Sequence, residues 1–163
     1  MQGNATDCKI SFSFAKHKLD MSQEDLAVRI VNHMYRNDPM SQWLGIECVQ
    51  IGPGISVLQM VIRKEMLNGF GIAHGGISYS LADSALAFAS NAHGIQAVSI
   101  ETSISHVAQA FEGDVLTTQV EEKSVTKSTG LYHVNVLNQN NKVVAFFKGT
   151  VYRTGKEWAI END

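Results

Sequence analysis

One stretch constrains the fold of this 163-residue chain more than any other, and it starts at Ala73-His74-Gly75-Gly76. About seventeen residues without proline or internal glycine follow, and the run 78–92 is rich in alanine. Two glycines before such a run predict a loop that enters a helix. A helix that is apolar on nearly every side belongs in a protein core. The chain is therefore predicted to fold around one buried helix.

Asp83 is the only charged side chain between His74 and His93, and a buried carboxylate is costly unless it is paired or functional. At the helix start, the first N–H groups lack intrahelical partners and the helix dipole favours negative charge. Gly75 and Gly76 would let an oxygen approach those groups closely, as in an oxyanion hole. The alternative is a tight turn before a capped helix, with Asp83 hydrogen-bonded in the core.

The spacing of Gly75 and Asp83 bears on the assembly. Eight residues of helix separate them by roughly 12 Å, whereas the carbon and oxygen of a carbonyl are about 1.2 Å apart. One helix therefore cannot easily present both groups to one carbonyl. If both residues are catalytic, two antiparallel helices related by a two-fold axis are needed, which predicts a dimer with shared sites.

Composition excludes several classes of protein. The formal charge of −3 and the pI near 6.0 argue against a nucleic-acid-binding protein, which needs a basic face. No apolar run is long enough for a membrane span, and the N-terminus has no signal-peptide core. We expect a soluble, cytoplasmic protein with no membrane partner.

The metal-binding residue types are scattered. The six histidines show no ligand spacing, so neither a metal site nor a cofactor is expected. Cys8 and Cys48 have no metal or CxxC spacing and are expected to be reduced thiols.

The remaining patterns complete an α+β architecture. An amphipathic helix is predicted over 23–36, and six strands are predicted over 46–51, 55–63, 96–108, 114–124, 130–138 and 143–153. Short turns between consecutive strands favour antiparallel pairing. The sum is a curved antiparallel sheet around the buried helix. We divide the chain into an N-terminal extension, 1–37, and a main domain, 38–163.

A resemblance to a known family rests on five short motifs between about residues 38 and 154, which are Met66-Leu67-Asn68-Gly69, His74-Gly75-Gly76, Ser80-Leu81-Ala82-Asp83, Gly113-Asp114 and Lys127-x-Thr129-Gly130. In order and spacing they resemble the hotdog-fold thioesterases of phenylacetic acid degradation. The resemblance implies a hotdog fold and hydrolysis of acyl-CoA thioesters, with aryl-acetyl or medium-chain acyl groups expected. It also implies a homodimer with shared sites, assembled as a dimer of dimers.

The same resemblance implies roles for individual residues. Gly75 N–H would polarise the thioester carbonyl, and Asp83 would be the nucleophile or the general base. Asn68 and His74 would position the substrate or its attacking water. Four further residues are expected to bind substrate, namely Gly76, Ser99, Lys127 and Thr129.

The chain departs from the family in one segment. Many members carry an Arg-Pro pair before the Gly-Asp turn, where this chain has the sequence His106-Val107-Ala108-Gln109-Ala110. A contact to the phosphates of the coenzyme is therefore missing. Three alternatives remain: a hotdog hydratase or dehydratase, a non-catalytic acyl-CoA sensor, and an assembly subunit in which the site serves only packing.

Overall fold

The fold is taken from a computed structural model that describes residues 21–160. The described helices are α1 (Met21–Arg36), α2 (Pro39–Leu44) and α3 (Gly75–Asn91), and one 3-10 turn spans Lys64–Met66. The strands are β1 (Glu47–Gly52), β2 (Ile55–Val61), β3 (Ile95–His106), β4 (Val115–Val125), β5 (Thr129–Leu137) and β6 (Val143–Glu157). All six predicted strands are present. No helix within residues 21–160 is long and apolar enough to cross a bilayer.

The six strands form one antiparallel sheet in the order β1-β2-β4-β5-β6-β3. Bulges interrupt the ladders in several places, including β3 between Ser99 and Glu101, and bulges bend and twist a sheet. The helix α3 lies against one face, where Leu81, Ala85 and Leu86 are fully buried. This confirms the predicted α+β hotdog fold with one long buried helix.

The strand β3 occupies one edge of the sheet and runs antiparallel to α3. Three contacts show this course: His106 with Ser78, Thr102 with Tyr79, and Ala97 with Asn91. The free side of β3 has no strand against it within residues 21–160. The edge strand therefore follows the whole length of α3 and stays open for pairing.

The two N-terminal helices pack on the same core. In α1, Ala27, Ile30 and Val31 are fully buried, as its amphipathic pattern predicts. In α2, Asp38 is the N-cap and Pro39 takes the first helical position. Residues 1–20 lie outside the described part, so the division of the chain after residue 37 stays a prediction.

The state of Cys48 differs from the expectation. Cys48 lies in β1, is fully buried and is disulfide-bonded. The prediction of a reduced thiol is therefore wrong for this residue, because the spacing of cysteines along a chain does not show which of them meet in space. Cys8 lies outside the described residues.

The helix α3 packs tightly against the sheet at Gly149 in β6. A Cβ added there would overlap Leu86 Cδ2 and lie 3.1 Å from Phe147 Cε1. Both neighbours are buried and cannot swing into solvent. We expect Gly149→Ala to lower the free energy of unfolding by about 1–3 kcal/mol, the usual cost of overpacking a core.

Chemical denaturation measures this effect, and Lys148→Ala on the opposite, exposed face of β6 is the control. Adding Leu86→Val should recover part of the loss, because it shortens the side chain that the new methyl group meets. Wild-type stability of Gly149→Ala would contradict the tight packing of α3 on β6.

Candidate active site

The start of α3 presents one of its two glycines as an open donor. The helix begins at Gly75, so both glycines lie in its first turn and not in a preceding loop. His74 is the N-cap, and its Nδ1 accepts a hydrogen bond from the Gly76 N–H at 3.0 Å. The Gly75 N–H has no partner among the described residues. Of the two glycines, Gly75 therefore offers the free N–H.

A cavity of about 420 Å³ opens beside Gly75. Asn68, Ser78 and His106 contribute to its wall, together with the segment 107–110. Asn68 Oδ1 accepts a hydrogen bond from the Phe70 N–H at 2.9 Å, which orients the side chain. Its amide nitrogen has no partner within residues 21–160. The cavity thus combines a backbone donor at a helix N-terminus with a side-chain amide donor.

Asp83 lies two turns further along α3 and does not line this cavity. It is half-buried, and no described residue donates a hydrogen bond to its carboxylate. Burial raises the pKa of Asp83 above its ordinary value, and the negative charge of Asp38 raises it further. Asp83 is therefore a more basic carboxylate than a solvated aspartate.

Asp38 is held beside Asp83 by a network between α2 and α3. Its carboxylate accepts hydrogen bonds from the N–H groups of Met40 and Ser41 at 3.0 and 3.1 Å and from Ser41 Oγ at 2.5 Å. Ser41 Oγ also lies 2.9 Å from the Oγ of Ser84. The influence of Asp38 on Asp83 has no signature in sequence spacing, because it depends on how α2 packs against α3.

Comparisons with known proteins show the family to which this fold and sequence belong. A family model described as the thioesterase superfamily matches residues 70–145. The acyl-coenzyme A thioesterase PaaI of Escherichia coli is 38% identical over 122 residues, which cover 75% of this chain and 87% of that protein. Its solved structure superposes with a TM-score of 0.80 at 36% identity and covers 83% of this chain and 98% of that chain.

The chain belongs to the PaaI-like hotdog thioesterases.

Two further solved structures extend the comparison. An asparagine-to-aspartate variant of PaaI from Thermus thermophilus matches with a TM-score of 0.69 at 35% identity over 71% of this chain and 99% of that chain. A thioesterase from Streptococcus pneumoniae with coenzyme A matches with a TM-score of 0.67 at 26% identity over 69% of this chain and 88% of that chain. That bacterial protein is also solved as an aspartate-to-alanine and a threonine-to-alanine variant.

Three of the residues predicted to bind substrate, Ser99, Lys127 and Thr129, lie away from Gly75. Ser99 is exposed on β3, which runs there beside the stretch of α3 that contains Asp83. Thr129 pairs with Tyr152 on β6, whereas His106, beside Gly75, pairs with Ala145. Seven residues of strand correspond to about 23 Å.

Lys127 is exposed in the turn between β4 and β5, at the Thr129 end of the sheet. Within one chain, the structure therefore brings together Asn68, His74, Gly75 and Gly76, but not Lys127 or Thr129. Among residues 21–160, no group of histidine, cysteine or acidic side chains could hold a metal ion.

Two residues of the cavity wall, Ser78 and His106, were not predicted from the sequence as parts of the site. His106 Nε2 lies 2.9 Å from Ser78 Oγ and 3.2 Å from the carbonyl oxygen of Gly75. In the sequence, His106 stands out only as part of the segment found where many family members carry the Arg-Pro pair. Strand alternation could have found it, because Thr102 and His106 lie on one face of β3 and both contact α3.

The raised pKa of Asp83 predicts an effect on stability. The folded state holds the Asp83 proton more tightly than the unfolded chain, so stability falls as the pH rises through the folded-state pKa. Above that pH, the ionised carboxylate therefore destabilises the fold. We expect Asp83→Asn to raise the melting temperature at pH 7, and the gain should vanish below the unfolded-state pKa of about 3.9.

The control is Asp114, whose carboxylate accepts hydrogen bonds from the Phe111 N–H and from Gln139 Nε2. Asp114→Asn removes a hydrogen-bonded charge and should give no such gain. Calorimetry between pH 3 and 8 tests both variants. A lower melting temperature for Asp83→Asn at pH 7 would show that Asp83 has a structural role.

Proposed function

We propose that this acyl-CoA thioesterase polarises the thioester carbonyl with the Gly75 N–H and attacks it with the help of Asp83. The observation that carries the proposal is the free Gly75 N–H at the cavity, beside a Gly76 N–H already taken by His74. A developing oxyanion at that point would meet an N–H donor and the positive end of a helix dipole. The bound coenzyme A of the Streptococcus pneumoniae thioesterase supports the substrate class.

The chemistry of the residues allows two routes. In one, the Asp83 carboxylate attacks the carbonyl carbon, the C–S bond breaks, and the resulting mixed anhydride is hydrolysed by water. In the other route, Asp83 takes a proton from a water molecule while the oxygen of that water attacks the carbonyl carbon. The C–S bond then breaks. Both routes release the acid and the thiol of coenzyme A, and both need the ionised form of Asp83.

The open edge of the sheet supports a two-fold dimer. Val98 and Ile100 on β3 are 56% and 60% exposed, which is unusual for apolar residues on a strand that follows the core helix. Pairing of two β3 strands about a two-fold axis would place the two α3 helices antiparallel to each other. The Gly75 end of one helix would then face the later turns of its partner, where Asp83 lies.

Further parts of the proposal extend the site. Solved variants of the Streptococcus pneumoniae thioesterase alter an aspartate and a threonine sixteen positions apart, which is also the separation of Asp83 and Ser99. This supports Ser99 as a polar helper. Lys127 and Thr129 would reach a site only from a second chain. The dimer of dimers would use the outer face of the sheet, where Phe146 and Tyr152 are exposed.

The acyl group and the location remain parts of the proposal. The structure of Escherichia coli PaaI is described as that of a protein from the phenylacetic acid degradation operon, which favours an aryl-acetyl group over a medium-chain one. A panel of both classes, followed with a thiol-detecting reagent, identifies the substrate. A cytoplasmic location stays a prediction.

The role of Asp83 predicts the behaviour of an isosteric variant. Asp83→Asn keeps the size of the side chain and removes the charge that either route requires. We expect kcat to fall by at least about a hundredfold, the scale of a lost general base. Because the variant is also expected to be the more stable protein at pH 7, unfolding would not explain the loss. Turnover at the wild-type rate would refute the role of Asp83.

The shared site predicts complementation between two inactive variants. Asp83→Asn and Gly75→Val each disable both sites of their own dimer. A mixed dimer concentrates both defects in one site and leaves the other site intact. Random mixing makes about half of the dimers heterodimeric, so activity should recover to roughly a quarter of wild type.

Subunits are exchanged by dissociation and reassociation, and native mass spectrometry confirms the mixed species. The control is each variant taken through the same procedure alone. If mixed dimers form without recovery, Gly75 and Asp83 do not act together across the interface.

A further inference from the structure

We propose that His106 and Ser78 form a positioning pair that holds the Gly75 carbonyl group and thereby fixes the backbone at Gly75, whose own N–H, in the preceding peptide, is to act on the thioester. The inference rests on the proposed function of Gly75. His106 belongs to the segment in which this chain lacks the Arg-Pro pair that many members of its family carry.

The hydrogen bonds of the pair define its proton positions. Ser78 Oγ donates to the carbonyl oxygen of Gly75 at 3.1 Å. Since the single hydroxyl proton is used there, the Ser78 oxygen is the acceptor in its 2.9 Å contact with His106 Nε2. His106 therefore carries its proton on Nε2, which also lies 3.2 Å from the Gly75 carbonyl oxygen. One imidazole N–H thus serves both Ser78 and Gly75.

The pair compensates for the flexibility of two adjacent glycines. Glycine has more backbone freedom than any other residue, whereas a catalytic donor has to be preorganised. The peptide between Gly75 and Gly76 is held at its oxygen by Ser78 and His106, and at its N–H by His74 Nδ1. The preceding peptide is held through the His74 carbonyl oxygen, which accepts from the Ile77 N–H at 2.9 Å.

The His106 ring also fills the space that a side chain at position 75 would need. A Cβ added to Gly75 would lie 3.1 Å from His106 Cε1 and 3.4 Å from Nε2. The ring therefore limits the movement of the Gly75 backbone from the side of β3. Polar contacts and packing act together, so that the one peptide N–H left free is also held in place.

The test separates positioning from substrate binding and from folding. His106→Leu keeps bulk and removes the donor, His106→Gln keeps an amide N–H that can replace Nε2, and Ser78→Ala removes the link to the Gly75 carbonyl. The matched control is His133→Leu, which alters an exposed histidine on β5. Each variant is measured for kcat and KM on the best acyl-CoA substrate and for its melting temperature.

We expect His106→Leu and Ser78→Ala to lower kcat by about tenfold to a hundredfold, the effect of a misplaced catalytic group. KM should stay within about twofold, as should the Kd of a non-hydrolysable thioether analogue of the substrate. His106→Gln should recover most of kcat, and His133→Leu should behave as wild type. The kcat of the double variant, His106→Leu with Ser78→Ala, should be no lower than that of the less active single variant, because the two residues act as one unit.

Three results would overturn the inference. Wild-type kcat in His106→Leu would show that the pair is dispensable. A higher KM and Kd with unchanged kcat would make His106 a substrate contact. A fall in melting temperature that parallels the loss of activity in both the Leu and the Gln variants would make the role structural. Asp83→Asn distinguishes the two proposals. Full activity of Asp83→Asn would refute the proposed function. An active His106→Leu beside an inactive Asp83→Asn would refute only the positioning role.

Discussion

The burial of α3 against the sheet is the constraint on which the rest of the structure depends. Leu86 packs against β6 where Gly149 has no side chain, so the helix lies close to the sheet. Elsewhere, the helix also contacts the edge strand β3, as between Tyr79 and Thr102. The same burial desolvates Asp83, which no described residue compensates with a hydrogen bond. An ionised carboxylate in that position weakens the folded state, which supports the proposed catalytic role of Asp83 over a role in stability.

The straightness of one helix then separates the two reactive ends. Gly75, whose N–H has no described partner, lines a cavity that Asp83 does not line, and about 12 Å of helix lies between the two residues. On the proposed function, a single chain would therefore hold the two halves of a site at separate places. The edge strand β3 exposes Val98 and Ile100 and has no strand against it within residues 21–160, so it is where we propose that a second chain pairs, because an open strand edge is a template for pairing.

The fold was predictable because it depends on local patterns. The glycine pair, the alanine-rich run of α3 and the alternating strands each indicate their element. The structure differs mainly at the ends of elements, since the glycine pair predicted to form the loop before α3 lies in its first turn. The candidate site was only half predictable. Asn68, Gly75 and Asp83 belong to one continuous motif, whereas Asp38 and His106 reach the site from α2 and from the end of β3. Their contributions depend on tertiary contacts that no spacing along the chain records.

The division between these two groups follows from what each has to do. A reactive group has to be at a certain place on the helix, so the short motif that places it is visible in the sequence. A group that shifts the pKa of a reactive residue or fixes its orientation needs only to lie within contact distance of that residue. Any element that packs nearby can supply such a group. Asp38 acts through its charge and His106 through its hydrogen bonds, and both act on α3 from outside it. The segment 106–110, which lacks the family's Arg-Pro pair, thus lines the same cavity as the glycine on which the reaction is proposed to depend. Differences between related thioesterases can arise in such a segment without any change in the motif itself.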